Sequence, residues 1–309
     1  MSWQQLHLQC PKDKVDFAEA LFYEEGAVSI ILEDAGDEPL FEPMPGEEPL
    51  WQDVVMTAIF DTNSDDRFDG TDFEGMASTI AAQVGATRFW TTRLDDKDWS
   101  REWMKHYQPV KCAGNLWIIP EWLDAPDPDA INLILDPGLA FGTGYHATTR
   151  LCLDWLSAQD LTDKVVIDYG CGSGVLGVAA LLLGAKSVLA VDIDPQAVLA
   201  TKQNAALNGV TDRLQVFLPE EFVEYRKQHG EPVDTITANI LAKPLISFAP
   251  YFSTLLKDGG SIVLAGLITN QTQEVIDAYT PFFTLDAAFN YDKPEDSHWH
   301  RLSGTKKVA

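Results

Sequence analysis

A strand that runs directly into a carboxylate and a glycine-rich turn, Val165-Val-Ile-Asp-Tyr-Gly-Cys-Gly-Ser-Gly174, constrains this chain more than any other stretch. It reads as a nucleoside-cofactor site at the end of a buried strand. Gly172, Gly174 and Gly177 satisfy the spacing G-x-G-x-x-G, which is found in dinucleotide folds and must be weighed against an S-adenosylmethionine fold. Charge separates the two. A pyrophosphate laid on the turn and the following helix N-terminus would be repelled by Asp168, whereas an ammonium and a sulfonium favour a carboxylate nearby. The next strand, Ser187 to Val191, ends in Asp192-Ile-Asp194-Pro195, about the ~20-residue spacing at which an acidic side chain accepts hydrogen bonds from ribose hydroxyls. Asp192 is the ribose candidate, because Asp194 precedes Pro195 and reads as a helix N-cap. The bland alternative is a generic βαβ unit whose glycines only make a tight turn.

A chain of 309 residues, 46% of them hydrophobic, can bury a sizeable core and suggests about two domains at ~100–200 residues each. No apolar run reaches the ~18 residues of a membrane span, so no membrane association is expected. Met1-Ser-Trp-Gln-Gln-Leu lacks the basic and hydrophobic regions of a secretory signal, which predicts a cytoplasmic protein. Cys10, Cys112, Cys152 and Cys171 form no C-x-x-C pair and read as reduced, structural thiols. The net charge of −25, from 22 basic and 47 acidic residues, opposes direct nucleic-acid binding. It suits a basic partner, or serves solubility alone.

Up to about Asp95 the pattern predicts β-α-β-β-α-β, a ferredoxin-like unit. Leu6, Leu8 and Cys10 alternate as in a strand, Val15 to Glu25 is an amphipathic helix stopped at Gly26, and Ala27 to Leu32 is a second strand. An acidic loop from Glu33 to Pro49 leads to a strand over Asp53 to Phe60, a helix around Glu74 to Val84 and a strand over Arg88 to Arg93. Residues 96–108 read as a helical linker with Trp99, Trp103 and His106 on one face. From 109 to 309, strands near Leu116, Ile131, Val165, Ser187, Leu214, Val233 and Ser261, the last five alternating with helices, predict a mostly parallel, doubly wound sheet. Phe283 to Asn290 and Trp299 to Ser303 are expected to close it as an antiparallel edge hairpin.

Four segments carry a family resemblance: Asp136-Pro-Gly-Leu-Ala-Phe-Gly-Thr-Gly-Tyr-His-Ala-Thr-Thr149, Asp168-Tyr-Gly-Cys-Gly-Ser-Gly174, Asp192-Ile-Asp-Pro195 and Asn239-Ile-Leu-Ala242. Together with Trp99-x-x-x-Trp103 and Trp299-His-Arg301, the chain resembles the ribosomal protein L11 methyltransferases over nearly its whole length. The first and last segments are specific; the other two occur in most class I methyltransferases. The resemblance implies a ferredoxin-like recognition domain (1–95), a linker (96–108) and a Rossmann-like class I methyltransferase domain (109–309) that binds S-adenosylmethionine. The implied reaction is repeated N-methylation of lysine ε-amines and of the amino-terminal α-amine of ribosomal protein L11, by a monomer. Carried over by motif, Thr149, Gly170, Asp192 and Asn239 contact the cofactor, alongside Asp168 and Gly172, with Phe141 to Gly144 closing over it. Tyr145 and Ala147 depart from the more usual residues, and Pro219 to Pro232 is longer than in many relatives.

No side chain declares itself as a general base, so the catalytic group is unassigned beyond Asn239, a candidate for positioning the nucleophile or the donor's amino-acid tail. His146 fits an acid–base role and fits equally a histidine that pins the loop by hydrogen bonding. His298 and His300 lack a third ligand, and no metal is expected. The Ile240-Leu241-Ala242 sequence after Asn239, in place of Pro-Pro and an aromatic residue, suits a flexible alkyl amine. Competing readings are an N-methyltransferase for another basic protein or small amine, a non-catalytic module docking on the ribosomal protein, and a nicotinamide oxidoreductase.

Overall fold

A computed structural model describes residues 3–36, 49–62, 68, 71–94, 104, 107–138, 142–291, 293 and 296–308. The chain divides into two compact units, Met1–Met104 and Lys105–Ala309. Trp99, Trp103 and His106 of the expected linker helix lie outside the described residues, as does most of the acidic loop.

The first unit runs β1 (Trp3–Pro11), α1 (Val15–Glu24), β2 (Ser29–Asp34), β3 (Asp53–Asp61), α2 (Thr71–Val84) and β4 (Arg88–Leu94). Its strands are antiparallel in the order β2-β3-β1-β4, the ferredoxin-like arrangement. Alternation places Leu6, Leu8 and Cys10 on one face of β1, where all three are fully buried. The stripe Val15, Ala18 and Phe22 of α1 packs there, as do Phe73, Ala77 and Ile80 of α2. Phe60 meets Phe68 and Phe73 at ring distances of 5.0 and 5.3 Å, and each such buried ring contributes about 1.5–3 kcal/mol. β2 begins at Ser29 rather than Ala27 because the Ala27 N–H donates to Phe22 O and closes α1.

The second unit opens with a three-stranded sheet, β5 (Val110–Lys111), β6 (Leu116–Pro120) and β7 (Ile131–Leu135). A seven-stranded sheet follows, built from β8 (Val165–Tyr169), β9 (Ser187–Val191), β10 (Leu214–Phe217), β11 (Val233–Asn239), β12 (Leu256–Ile268), β13 (Phe283–Leu285) and β14 (Trp299–Lys306). Its order is β10-β9-β8-β11-β12-β14-β13; the first five pair in parallel and β14 runs antiparallel to both neighbours.

Neighbouring residues on β8, β9, β10 and β12 enter opposite cores. Val166, Val188, Ala190 and Val263 pack with Leu153 and Leu156 of α3 (Ala147–Ser157) and Val178 of α4 (Val175–Leu182). Ile167, Leu189, Ile236 and Ile262 pack instead with Phe222 of α6 (Pro219–Gln228), Phe252 of α7 (Ala242–Leu255) and Val275 of α8 (Thr272–Tyr279). Helices on both sides of a parallel sheet explain strands without a polar face. The connection after β9 is α5 (Pro195–Leu207). All four cysteines are buried and unbridged. Among the described residues no helix is long and apolar enough to cross a membrane.

The terminal hairpin is antiparallel and lies at the sheet edge as expected, but its first strand is shorter. β13 ends at Leu285, since Ser303 Oγ donates to Asp286 Oδ2 at 2.8 Å and only the single bridge Phe289 to Arg301 continues the pairing. β14 lies inside the sheet, between β12 and β13, so β13 alone forms that edge.

The pairing of β12 with β14 slips between Leu264 and Leu267. Gly266 sits in that slip at φ +84°, where a Cβ would stand 2.4 Å from the backbone oxygen of Ile240. Neither the conformation nor the space admits a side chain. Gly266→Ala is therefore expected to lower stability by about 2–4 kcal/mol, read as a reduced urea midpoint with an unchanged slope.

Candidate active site

The carboxyl ends of β8, β9 and β11 form one edge of the large sheet, the side on which open α/β sheets bind ligands. The turn after β8 is held there by its own backbone: Gly170 N and Cys171 N both donate to Val191 O at the end of β9, at 2.8 and 3.1 Å. Gly170 has φ +76°, and a Cβ would come within 2.1 Å of the Ile240 side chain that follows β11. The two strand ends approach closely only because this residue is glycine.

Asp168 lies beneath the turn, 1% exposed. Its Oδ2 accepts from Gly177 N at 2.8 Å, and its Oδ1 from Thr237 Oγ1 at 2.9 Å. Burial pushes its carboxyl up to about 6, although both hydrogen bonds favour the anion; the nearby Asp192 adds to the rise. Asp192 stands at the rim and accepts from Gly172 N at 2.8 Å and Asp194 N at 3.0 Å, one bond to each oxygen. Asp194 caps α5 by accepting from Gln196 N at 2.8 Å, with Pro195 as the first helical residue.

The glycine-rich segment before α3 folds over this edge. Ser173 Oγ donates to Gly142 O at 2.6 Å, and Asn204 Nδ2 to Ser173 O at 2.8 Å. Phe141 lies outside the described residues. Asn239 Nδ2 donates to Thr149 Oγ1 at 3.3 Å, joining the end of β11 to the first turn of α3. Gly170, Gly172, Asp192, Thr149 and Asn239 therefore border one edge, with Asp168 as its buried support.

A family model described as ribosomal protein L11 methyltransferase (PrmA) matches residues 2–307. The chain belongs to this family. It is 62% identical over 309 residues to the ribosomal protein L11 methyltransferase of Psychrobacter sp. (strain PRwf-1), with 99% of each chain covered. The protein of that name from Acinetobacter baylyi is 50% identical over 306 residues, again with 99% of each covered. The crystal structure of a ribosomal protein L11 methylase from Lactobacillus delbrueckii subsp. bulgaricus superposes with a TM-score of 0.57 at 33% identity, covering 65% of this chain and all of that one.

Beside this edge, His146 is the N-cap of α3. Its Nδ1 accepts from Thr148 N at 3.3 Å and lies 2.8 Å from Thr148 Oγ1, and its ring meets Trp299 edge-on at 4.6 Å. The terminal hairpin clamps the same helix: Arg150 pairs with Asp296 at 2.7 Å and lies over the Tyr291 ring, and Arg301 Nη1 donates to Leu151 O at 3.2 Å. Tyr145 donates to Gln108 O at 2.5 Å and packs edge-on against Tyr107, which ties the loop to the segment before β5. His300 Nε2 lies 3.2 Å from Thr269 Oγ1, and among the described residues no three His, Cys, Asp or Glu side chains converge as a metal site.

Sequence reasoning passed over Ile193. It is 84% exposed, directly after Asp192 and before the capping Asp194. An isoleucine between two committed carboxylates at a strand end was the available signal. A cleft of about 190 Å³ also opens at the opposite end of the sheet, around Lys164, Asp234 and Lys257. Its charges satisfy each other, with Lys257 Nζ 2.8 Å from Asp234 Oδ1, and it is remote from the glycine turn.

Ionising Asp168 favours the unfolded chain, in which an aspartate loses its proton at lower pH. As pH rises from about 4 to about 6, this group is expected to remove up to about 3 kcal/mol of native stability. Asp168→Asn keeps an oxygen for Gly177 N–H and should lack that slope. Urea titrations of the two proteins across the window measure the difference.

Proposed function

We propose that the chain methylates ribosomal protein L11 with S-adenosylmethionine as donor, and that the acceptors are lysine ε-amines and the amino-terminal α-amine. The observation that carries this reading is the Asn239 to Thr149 hydrogen bond beside the Asp192 rim, in a chain 50–62% identical over its length to enzymes named for that substrate.

The residues at the edge fit such a donor. After one backbone bond each, the Asp192 oxygens retain acceptor capacity for ribose hydroxyls. Ile193 offers an apolar surface to the purine, and Gly170 and Gly172 permit close approach of the backbone. Thr149 and Asn239 border the donor's amino-acid end, above the carboxylate of Asp168. When bound, S-adenosylmethionine supplies a sulfonium methyl group as the electrophile.

The chain's own task is to present a neutral amine in line with that methyl, about 3–3.5 Å away, and to exclude water. A lysine at its usual ~10.4 is charged at neutral pH, and an apolar mouth lowers that value by disfavouring the ammonium. Ile240 and Leu241, the latter 54% exposed, supply such a mouth. Because Asn239 Nδ2 is committed to Thr149, its Oδ1 is the end left to accept an N–H from the incoming amine. An anchored amide and an unstacked mouth let the nitrogen rotate between successive transfers.

The Met1–Met104 unit holds 23 acidic and 7 basic residues, a net −16 of the chain's −25. This charge supports a recognition role toward a basic protein and works against phosphate backbones. We take the enzyme to act as a monomer.

Incubation with S-adenosylmethionine and unmethylated ribosomal protein L11 should add whole methyl masses to the substrate, mapping to lysine side chains and the amino terminus. Donor binding without any mass gain would move the search to another basic protein or a small amine. Asn239→Ala is expected to lower kcat about 100-fold, the scale of a lost positioning contact; full turnover would overturn its role. The KM for the protein substrate should rise severalfold between about 0.05 and about 0.5 M salt as the acidic unit is screened, whereas the KM for the donor should not.

A further inference from the structure

We propose that His146 is a positioning residue for methyl transfer, acting as a neutral Nδ1 acceptor that caps α3 and so holds Thr149 against Asn239. The inference rests on the function proposed above.

The backbone at His146 is extended, φ −68° and ψ 144°, the geometry of an N-cap. Thr148 N and Thr148 Oγ1 lie 3.3 and 2.8 Å from Nδ1; the backbone N–H can only donate and the hydroxyl can do so, which assigns the ring proton to Nε2 in this proposal. In this tautomer the lone pair that could serve as a base is already used by the helix. Trp299 fixes the ring edge-on, and Thr149 N donates to His146 O, so the cap and the cofactor-side threonine share one turn. Thr149 in turn accepts from Asn239.

Protonating Nδ1 would set two donors against each other and place a cation at the positive end of the helix dipole. The groups facing the ring are Asp296 and His298 from the turn before β14 and Arg150 from α3 itself. Burial holds the imidazole below its ordinary value, Arg150 and His298 act in the same direction, and Asp296 opposes them. The capped form is thus complete at neutral pH and is lost on acidification. A general base at His146 would make a different prediction, since its loss would lower turnover rather than donor binding.

His146→Asn supplies a capping oxygen that does not titrate, and His146→Ala removes the cap. For His146→Ala, the donor Kd by calorimetry is expected to rise about tenfold, the scale of a lost N-cap. His146→Asn should restore donor affinity and flatten the acid limb of kcat/KM for the donor. Asp168 titrates in both proteins, so the difference between their profiles reads His146 alone. A His146→Asn protein that binds donor normally but has lost kcat by more than about 100-fold would identify a general base and overturn the proposal. So would an unchanged donor Kd in His146→Ala. Nitrogen NMR of the wild-type ring provides a readout independent of either variant's folding: Nδ1 unprotonated and Nε2 protonated at neutral pH is expected, and the reverse tautomer sinks the idea. Wild-type protein that fails to bind S-adenosylmethionine would refute the functional reading itself, leaving the tautomer measurement to judge the cap.

Discussion

A carboxylate with 1% exposure is expensive to keep, and the placement of Asp168 makes the Lys105–Ala309 unit depend on it. One oxygen reaches Gly177 N in the first turn of α4 and the other reaches Thr237 on β11, so a single side chain on β8 ties a helix start and two neighbouring strands together. The glycine turn passes directly over this junction. Moving any of the three elements would strand a buried acceptor or donor, at a cost of about 1–3 kcal/mol each. That penalty favours a single geometry for the edge on which Asp192 and Asn239 stand.

Ile240 plays the complementary part in packing. Its side chain fills the space above Gly170, while its backbone oxygen occupies the space beside Gly266. Two left-handed glycines, one in the turn after β8 and one in β12, thus enclose the residue that follows Asn239. The asparagine is held from behind by sterics and from the side by Thr149, and no flexible linkage lies between it and the sheet.

Much of this was legible in the sequence because it follows from short-range rules. The alternation of Leu6, Leu8 and Cys10, the spacing from Asp168 to Asp192, and Asp194 before Pro195 each express one periodicity or one cap. What escaped depends on residues far apart in the chain. Nothing local shows that β14 enters between β12 and β13, that Ser303 ends β13 early, or that Trp299 rests against His146. Ile193 was hidden for a different reason: an exposed apolar side chain has meaning only once its neighbours are known to be spoken for. The N-cap position of His146 was not legible either, since it depends on where Nδ1 lies relative to Thr148 N.

The position of β14 also has a consequence for how the molecule comes into being. Ribosomes deliver residues 299–306 after every other strand of the sheet, yet that strand pairs with β12, makes room for β13 and carries Arg301 and Trp299 to α3. A nascent chain lacking it holds the glycine turn but has no brace on the helix that bears Thr149, and it leaves the β12 edge unpaired. The helix that bears Thr149 is therefore braced only once β14 is in place, and a chain truncated before Trp299 would retain most of the parallel sheet without that brace.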